Sequence, residues 1–411
     1  MSDLQDLRRR LARLDRRRRP NTASRPAASL ARLELPRGEA VSTDSGEAYR
    51  IEAYLPIDHV HGSGRLADLL AFDSELVADV ASHPGLRQAE LSHLVFLDTE
   101  TTGLVGGAGT LVFLVGVGTY VEGAFRLRQY FLRNPDEEAA MLLALQPDLE
   151  AAHGFVTFNG RAFDLPLLET RYVIGLRRRW ALTSSPHLDL LPASRRLWSR
   201  QLPDCSMATI ERYVLGVQRT EEDVPGAMIP ELYLEYLRTG EGGGMARVIY
   251  HNAIDVLSLV GLSSQIMQRH HEADPGRLSS AEALGVGRWH QRAGRLEPAE
   301  TALRAATTGG DPGIRLEALR RYAAYLKRAQ RLDRAIEVWR EWHALAVEDP
   351  APCIELAKYY EWNVSNLAEA NRWAQEALVS LSHWPTDWRR EQAWETVTHR
   401  LQRLARKMEM G

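Results

Sequence analysis

The sequence has few of the residues that mark secreted, zinc-binding or membrane proteins. Its 411 residues include only two cysteines, Cys205 and Cys353, which lie far apart and outside any Cys-x-x-Cys pair. Neither a disulfide framework nor a cysteine zinc cluster is indicated, and a reducing cytoplasm is the predicted location. The longest apolar run, residues 110–121, contains two glycines. It falls short of the ~20 residues that a membrane helix needs, so we expect no membrane contact.

Lysine is also scarce, whereas arginine is abundant and unevenly distributed. Three lysines stand against 48 arginines, and this bias lowers the weight of any single arginine run. The first 32 residues hold ten arginines against three aspartates, although the whole chain has a formal charge of −3. Basic arms of this kind bind nucleic acid by neutralising phosphates. Residues 1–47, which include a Pro- and Ser-rich stretch, are predicted to form a flexible basic arm.

Residues 48–273 show the patterns of an α/β domain. Three extended runs predict an antiparallel meander, at residues 94–98, 110–120 and 124–132. Short strand patterns then alternate with helical ones, and a long periodic helix runs from residue 245 to about residue 271. This order predicts a mixed sheet with helices on its faces.

From residue 279 to residue 411 the strand patterns end and helical patterns take over. Three similar phrases recur, at residues 295–299, 331–335 and 366–370. Their leucines are 36 and 35 residues apart, close to the 34 of tetratricopeptide repeats, whose two-helix units stack on one another. The segment resembles that repeat family, which implies an all-α helical repeat domain and a possible protein partner.

Two carboxylates end the first predicted strand. Asp98 and Glu100 are two residues apart and therefore share one face of the strand. Two acids on one face repel each other, and burial raises that cost unless a cation is present. The placement indicates a metal site, although a lone Asp-x-Glu is more often simply solvated.

Two further motifs carry acidic residues. Asp164 lies near the start of a predicted helix, where an acid can also act only as a cap. His251 and Asp255 are four residues apart in the long helix and share one of its faces. Each motif is weak by itself.

Together these motifs resemble the DEDD exonucleases of the RNase H-like superfamily, in which an Asp-x-Glu strand, a mid-domain Asp and a helical Asp gather two divalent cations. More narrowly, five phrases between residues 50 and 270 resemble a bacterial predicted-exonuclease family with an RNase H-like domain. The phrases are Asp-Thr-Glu-Thr-Thr-Gly-Leu at 98–104, Phe-Asn-Gly-x-x-Phe-Asp at 158–164, His-Leu-Asp-Leu-Leu at 187–191, Asp-Val-Pro-Gly at 223–226 and His-Asn-x-x-Asp-Val at 251–256.

The resemblance implies an RNase H-like mixed five-stranded sheet with flanking helices and a nuclease. By the family pattern the metal ligands would be Asp98, Glu100, Asp164 and Asp255. Hard oxygen ligands suit Mg²⁺ or Mn²⁺, and two such ions support an in-line displacement at phosphorus. The expected activity is 3′-to-5′ exonucleolytic hydrolysis of DNA or RNA from a single-stranded 3′ end.

The general base is assigned to His251, with Tyr250 as the second choice. Related exonucleases place a Tyr four residues or a His five residues before the helical Asp, whereas here the two residue types are exchanged. Only His251 shares the face of Asp255, and an imidazole is the better base near neutral pH.

Several alternatives stay open at this stage. The same fold and metals serve a structure-selective endonuclease, and a nuclease fold can persist in a non-catalytic adaptor for nucleic acid or protein. The Gly-rich segment 103–109 lacks the Lys-Ser/Thr ending of a phosphate loop and is interpreted as a connection beside the site. Asp189 is interpreted as structural, and the Arg- and Trp-containing segments 177–180 and 195–200 as solvated faces.

Overall fold

The computed structural model describes residues 34–103, 109–220, 223–272 and 274–410. These residues form two compact units. One holds the residues up to Arg195 together with Leu202–His271, and the other holds Arg196–Gln201 together with the residues from Glu272 onward. The sequence pattern did not indicate that the short segment Arg196–Gln201 belongs with the C-terminal helices.

The first unit is built on a seven-stranded sheet. Its strands, with a separate two-stranded ribbon formed by β3 and β4, are β1 (Glu39–Thr43), β2 (Gly46–Pro56), β3 (Val60–His61), β4 (Gly64–Arg65), β5 (Leu94–Thr101), β6 (Val112–Val121), β7 (Ala124–Phe131), β8 (Gly154–Thr157) and β9 (His187–Asp189). The order in the sheet is β1-β2-β7-β6-β5-β8-β9. The strands β5, β6 and β7 pair antiparallel, whereas β8 pairs parallel with both β5 and β9. The predicted meander and mixed sheet are therefore confirmed.

The prediction of five strands was too low, because β1 and β2 extend the sheet at its β7 edge. β2 pairs antiparallel with β7 from Tyr49 to Pro56, and β1 pairs with β2. Residues 39–47, which the sequence assigned to the flexible arm, thus lie in strands and their turn. Most residues of β1 and β2 are exposed or half-buried, so these strands lack the apolar run that made the central strands visible. The predicted arm over residues 1–33 lies outside the described residues.

Helices cover both faces of the sheet. In the first unit they are α1 (Ser74–Ala81), α2 (Glu138–Glu150), α3 (Asp164–Leu176), α4 (Leu190–Trp198, whose last turn belongs to the second unit), α5 (Met207–Ile210), α6 (Ile229–Thr239) and α7 (Gly243–His271). Side chains along β7 point alternately to the two faces of the sheet, so their contacts identify the helices on each face. Arg126 and Arg128 bind Asp148 of α2, whereas Gln129 donates to the carbonyl oxygen of Ile249 in α7.

Two glycines in β6 allow α7 to approach the sheet closely. A Cβ atom added to Gly116 would lie 2.3 Å from Oδ1 of Asn252, and one added to Gly118 would lie 2.7 Å from Cγ1 of Val256. Gly116 is also the residue paired with Asp98 on β5. The missing side chain therefore makes room for Asn252 beside the first predicted acid.

The second unit contains three helical hairpins and a final helix. Its complete helices are α8 (Ser280–Arg292), α9 (Leu296–Ala306), α10 (Pro312–Arg328), α11 (Leu332–Leu345), α12 (Ala351–Trp362), α13 (Leu367–Ser382) and α14 (Trp388–Met410). The recurring phrases occupy equivalent places, since α9, α11 and α13 begin at the three phrase leucines. Three residues further on, Ala299, Ala335 and Ala370 are all fully buried, which permits close helix packing. Among the described helices, none has both the length and the apolar character of a bilayer span.

Burial keeps three histidines uncharged and predicts acid sensitivity. Desolvation lowers the pKa of His61, His187 and His290 to about 4. A histidine in the unfolded chain has a pKa near 6.5, so from pH 6.5 down to pH 4 these histidines bind protons in the unfolded chain but not in the native one. We expect the free energy of unfolding to fall by about 1 to 2 kcal/mol per histidine between pH 6.5 and pH 5. Urea unfolding at several pH values measures this loss; an equally large loss in a His61→Gln variant would contradict the assignment to His61.

Candidate metal centre

The C-terminal half of β5 presents two carboxylates to α7. Asp98 and Glu100 are both partly buried, and Asp98 pairs with Gly116 while Glu100 pairs with Leu114. The register shifts directly after Glu100, where the strand pair becomes irregular. β5 and β8 run parallel, so their carboxyl ends lie at one edge of the sheet.

The turn after β8 delivers Asp164 to the same edge. Asn159 has a φ of 68°, and Asp189 accepts hydrogen bonds from the backbone N–H groups of Asn159 (2.8 Å) and Arg161 (3.3 Å). Asp164 then begins α3 and is 6% exposed, and Thr99 Oγ1 donates to its Oδ1 at 2.5 Å. Asp189 therefore supports the turn that precedes Asp164, which agrees with its structural interpretation.

Helix α7 contributes three adjoining polar residues. Asn252 Nδ2 donates to Asp98 Oδ2 at 2.8 Å, and Gln129 Nε2 donates to Asn252 Oδ1 at 2.9 Å. His251 Nε2 lies 3.2 Å from Asp255 Oδ2 and 4.0 Å from Glu100 Oε1. One face of α7 thus reaches the acids of β5.

Burial and like charges raise the pKa of three of the four predicted acids. Burial raises the pKa of Asp98 well above its ordinary value, and the charges of Asp255, Glu100 and Asp164 raise it further. Burial, followed by the charge of Asp255, raises the pKa of Glu100 to about 8. Burial also raises the pKa of Asp164 to about 6, against the hydrogen bond from Thr99. Such a group of carboxylates is stabilised by a cation.

The donor set fits a divalent cation. One ligand atom each from Glu100, His251 and Asp255 lie within 4.8 Å of one another, and Asp98 and Asp164 add carboxylates to the same cluster. Mostly oxygen donors suit Mg²⁺ or Mn²⁺ better than zinc or copper. The sequence predicted the four carboxylates as ligands, whereas it assigned His251 to proton transfer and not to metal binding.

Three charged residues beside the cluster were missed as site residues. Arg219 donates to both oxygens of Glu211, at 2.6 and 2.8 Å, and to Asp223 Oδ1 at 3.2 Å. It also donates to Asp255. The spacing of these residues along the chain is irregular, so no periodic pattern could have revealed the group. Asp223 alone had a signal in the sequence, because it begins one of the five phrases that resemble the exonuclease family.

The remaining predicted features lie around the cluster. Tyr250 is half-buried, and its hydroxyl lies 3.4 Å from Thr220 Oγ1. Residues 104–108 of the Gly-rich segment lie outside the described residues. Trp180 packs edge-on against Tyr172, and Trp198 is 2% exposed. These two tryptophans therefore contribute to packing. The arginines at 177–179, 195 and 200 are exposed, as the interpretation of both segments as solvated faces predicts.

Comparison with known proteins agrees with this geometry. Residues 95–267, which span β5 to α7, match the family model of the RNase H superfamily. The chain is also similar to the uncharacterized protein YprB of Bacillus subtilis (strain 168), with 29% identity over 341 residues, which is 80% of this chain and 79% of that protein. The sheet and its helices are consistent with an RNase H-like fold, and the match indicates a nuclease-type domain that acts on nucleic acid. Nucleases of this kind usually use divalent metals, and the group formed by Glu100, His251 and Asp255 could hold one.

Proposed function

We propose that this protein is a metal-dependent 3′-to-5′ exonuclease that hydrolyses phosphodiester bonds. The observation that carries the proposal is the convergence of Asp98, Glu100, Asp164 and Asp255 from a strand and two helices. Burial raises the pKa of the first three, and the charges of neighbouring acids in this group raise the pKa of Asp98 and Glu100 further. The superfamily match supports the class of reaction. The order and spacing of the four acids support the exonuclease within that class.

The four carboxylates are proposed to hold two Mg²⁺ or Mn²⁺ ions, with Asn252 orienting Asp98 and Thr99 orienting Asp164. Bound divalent ions supply an activated water and charge stabilisation for the leaving oxygen. The residues of the chain then position the water and the leaving oxygen and accept the proton of the attacking water.

His251 is proposed to accept the proton of the attacking water at Nε2. That nitrogen faces Glu100 and Asp255, while Nδ1 lies 2.7 Å from Asp223 Oδ1. Burial lowers the pKa of His251, but the hydrogen bond to Asp255 and the charges of Asp255 and Glu100 outweigh it and raise that pKa to about 9, so the imidazole is protonated in the metal-free protein. Divalent metal bound by Asp255 and Glu100 would neutralise these charges and lower the pKa of His251. The carboxylate of Asp223 then favours the neutral tautomer that carries its proton on Nδ1, which leaves Nε2 as the acceptor. Tyr250, with its hydroxyl near Thr220, is less well placed for this role.

The proposal also covers the remainder of the chain. The basic residues that precede β1 are proposed to add affinity for nucleic acid. The nuclease domain is proposed to run from β1, which begins at Glu39, to residue 273, and the protein is proposed to be located in the cytoplasm. Residues 279–411 are proposed to be tetratricopeptide-like and to bind a protein partner. Support for the repeats comes from the equivalent positions of the three phrase leucines and the buried alanines that follow them.

Cleavage of end-labelled nucleic acids tests the proposal. Single-stranded and duplex DNA and RNA, each labelled at the 3′ or the 5′ end, would be incubated with Mn²⁺ or Mg²⁺. We expect mononucleotide release from 3′-labelled single strands, a ladder from 5′-labelled ones and no cleavage of circular single strands. EDTA and a Glu100→Gln variant are the inactive controls.

Two outcomes would contradict the exonuclease. Linearisation of circular substrates would indicate an endonuclease. Salt-dependent binding without cleavage in either metal would favour a non-catalytic adaptor.

A further inference from the structure

Arg219 occupies a central position that the proposed reaction does not explain. Its guanidinium contacts three carboxylates, those of Glu211, Asp223 and Asp255, and its Nη1 lies 2.8 Å from His251 Nδ1. The side chain of Arg219 is only 14% exposed. It is therefore a cation fixed beside the candidate metal centre.

Glu211 anchors this guanidinium from outside the predicted ligand set. It is 2% exposed and binds Arg219 through both oxygens, at 2.6 and 2.8 Å. Ser258 Oγ donates to Glu211 Oε1 at 2.6 Å, and His61 Nε2 lies 2.8 Å from the same hydroxyl. Two parallel hydrogen bonds between a guanidinium and a carboxylate define both position and direction. The anchor holds Arg219 at the edge of the cluster.

Asp255 is the point at which this arrangement meets the proposed metal ligands. Arg219 donates to its Oδ1, and His251 Nε2 lies 3.2 Å from its Oδ2. Both oxygens of Asp255 therefore already face nitrogen atoms of basic side chains. Each carboxylate oxygen has two lone pairs, so a divalent cation that binds Asp255 must either replace one of these contacts or share an oxygen with it. In both cases the cation would lie beside a positive charge that Glu211 keeps in place.

We propose that Arg219 is a built-in cation that competes with the divalent metal for Asp255 and thereby sets the metal affinity of the centre. This inference rests on the proposed function, because it requires a metal at Asp255. Binding of the metal breaks the contact between Arg219 and Asp255, while the contact with Glu211 remains. The metal-free centre is thus held together by an internal ion pair.

Titration of the purified full-length protein with Mn²⁺, followed by calorimetry and by the electron paramagnetic resonance of free Mn²⁺, tests the competition without any measurement of activity. We expect Arg219→Gln to bind Mn²⁺ about 10- to 100-fold more tightly than wild type, the range that one charge-assisted hydrogen bond contributes. Arg212→Gln is the matched control. Arg212 is exposed, lies in the same segment and stacks on Tyr213, so its loss should leave the affinity unchanged.

A double variant separates competition from two other effects. Arg219→Gln alone leaves buried Glu211 without its cation, which can destabilise the fold or supply an extra metal ligand. Arg219→Gln combined with Glu211→Gln removes both complications, and the inference requires that this protein also bind Mn²⁺ more tightly than wild type. Equal or weaker binding by the double variant, with measurable binding by wild type, would overturn the role of Arg219 and leave the metal centre standing. Absence of Mn²⁺ binding in every protein would overturn both.

Discussion

Replacement of Asp98 by Asn is expected to remove nuclease activity while the fold is retained. Loss of one carboxylate from the metal centre should cost about 4 kcal/mol of transition-state stabilisation, or about 10³-fold in rate. Single-turnover cleavage of a 3′-labelled strand measures the effect. The Asp98 side chain lies beside Asn252, and burial and the neighbouring acids raise the pKa of its carboxyl group. Its replacement by a neutral amide therefore removes a group whose ionised form is repelled in the metal-free protein.

Thermal unfolding distinguishes this explanation from a damaged fold. In EDTA the Asp98→Asn variant should unfold at the wild-type temperature or above it. With Mn²⁺ at about 100 times its dissociation constant, wild type should gain about 2.7 kcal/mol and the variant much less. The matched control is Asp44→Asn, the same change at an exposed turn between β1 and β2. If Asp98→Asn retained wild-type activity, the proposed ligand set would be wrong.

Removal of the imidazole of His251 is expected to lower the rate of the chemical step by about 10²- to 10⁴-fold, the usual contribution of a general base. Tyr250→Phe, which removes only the hydroxyl of the neighbouring residue, should keep most of the activity because that hydroxyl lies near Thr220. Single-turnover rates of His251→Ala and Tyr250→Phe provide the comparison. Added imidazole should restore part of the rate of His251→Ala if the lost group transfers a proton.

The metal affinity of His251→Ala decides whether His251 is a general base or a metal ligand. One ligand atom each from His251, Glu100 and Asp255 lie close enough together to hold one ion. If His251 is a general base, the rate of His251→Ala should fall even at saturating Mn²⁺, and the affinity for Mn²⁺ should change by a smaller factor than the rate. A loss of affinity that accounts for the whole rate defect would make His251 a ligand instead. High activity in His251→Ala, together with an inactive Tyr250→Phe, would exchange the two assignments.

The central part of the fold was predictable because its strands are almost wholly buried. Every residue of β8 is buried, and most residues of β5 and β6 are, so each reads as an apolar run bounded by turns. β1 and β2 were missed for the opposite reason, since much of their surface faces solvent and charged residues interrupt the apolar ones, as Glu47, Arg50 and Glu52 do in β2. A local sequence pattern reports the burial of a strand, so a strand that is largely exposed produces only a weak pattern.

The sequence by itself placed two pairs of candidate residues on common faces, and Asp164 joined them only through the resemblance to the DEDD exonucleases. Asp98 and Glu100 share a strand face, and His251 and Asp255 share a helix face, through backbone periodicity that holds wherever these elements pack. Only the tertiary structure brought Asn252 to Asp98 and Arg219 to Glu211 and Asp255. These contacts join residues from separate elements. Arg219 lies in an irregular connection, where no helical or strand periodicity predicts the direction of its side chain. Their formation depends on the close approach of α7 at Gly116 and on the electrostatic need of a buried, repelling cluster for positive charge.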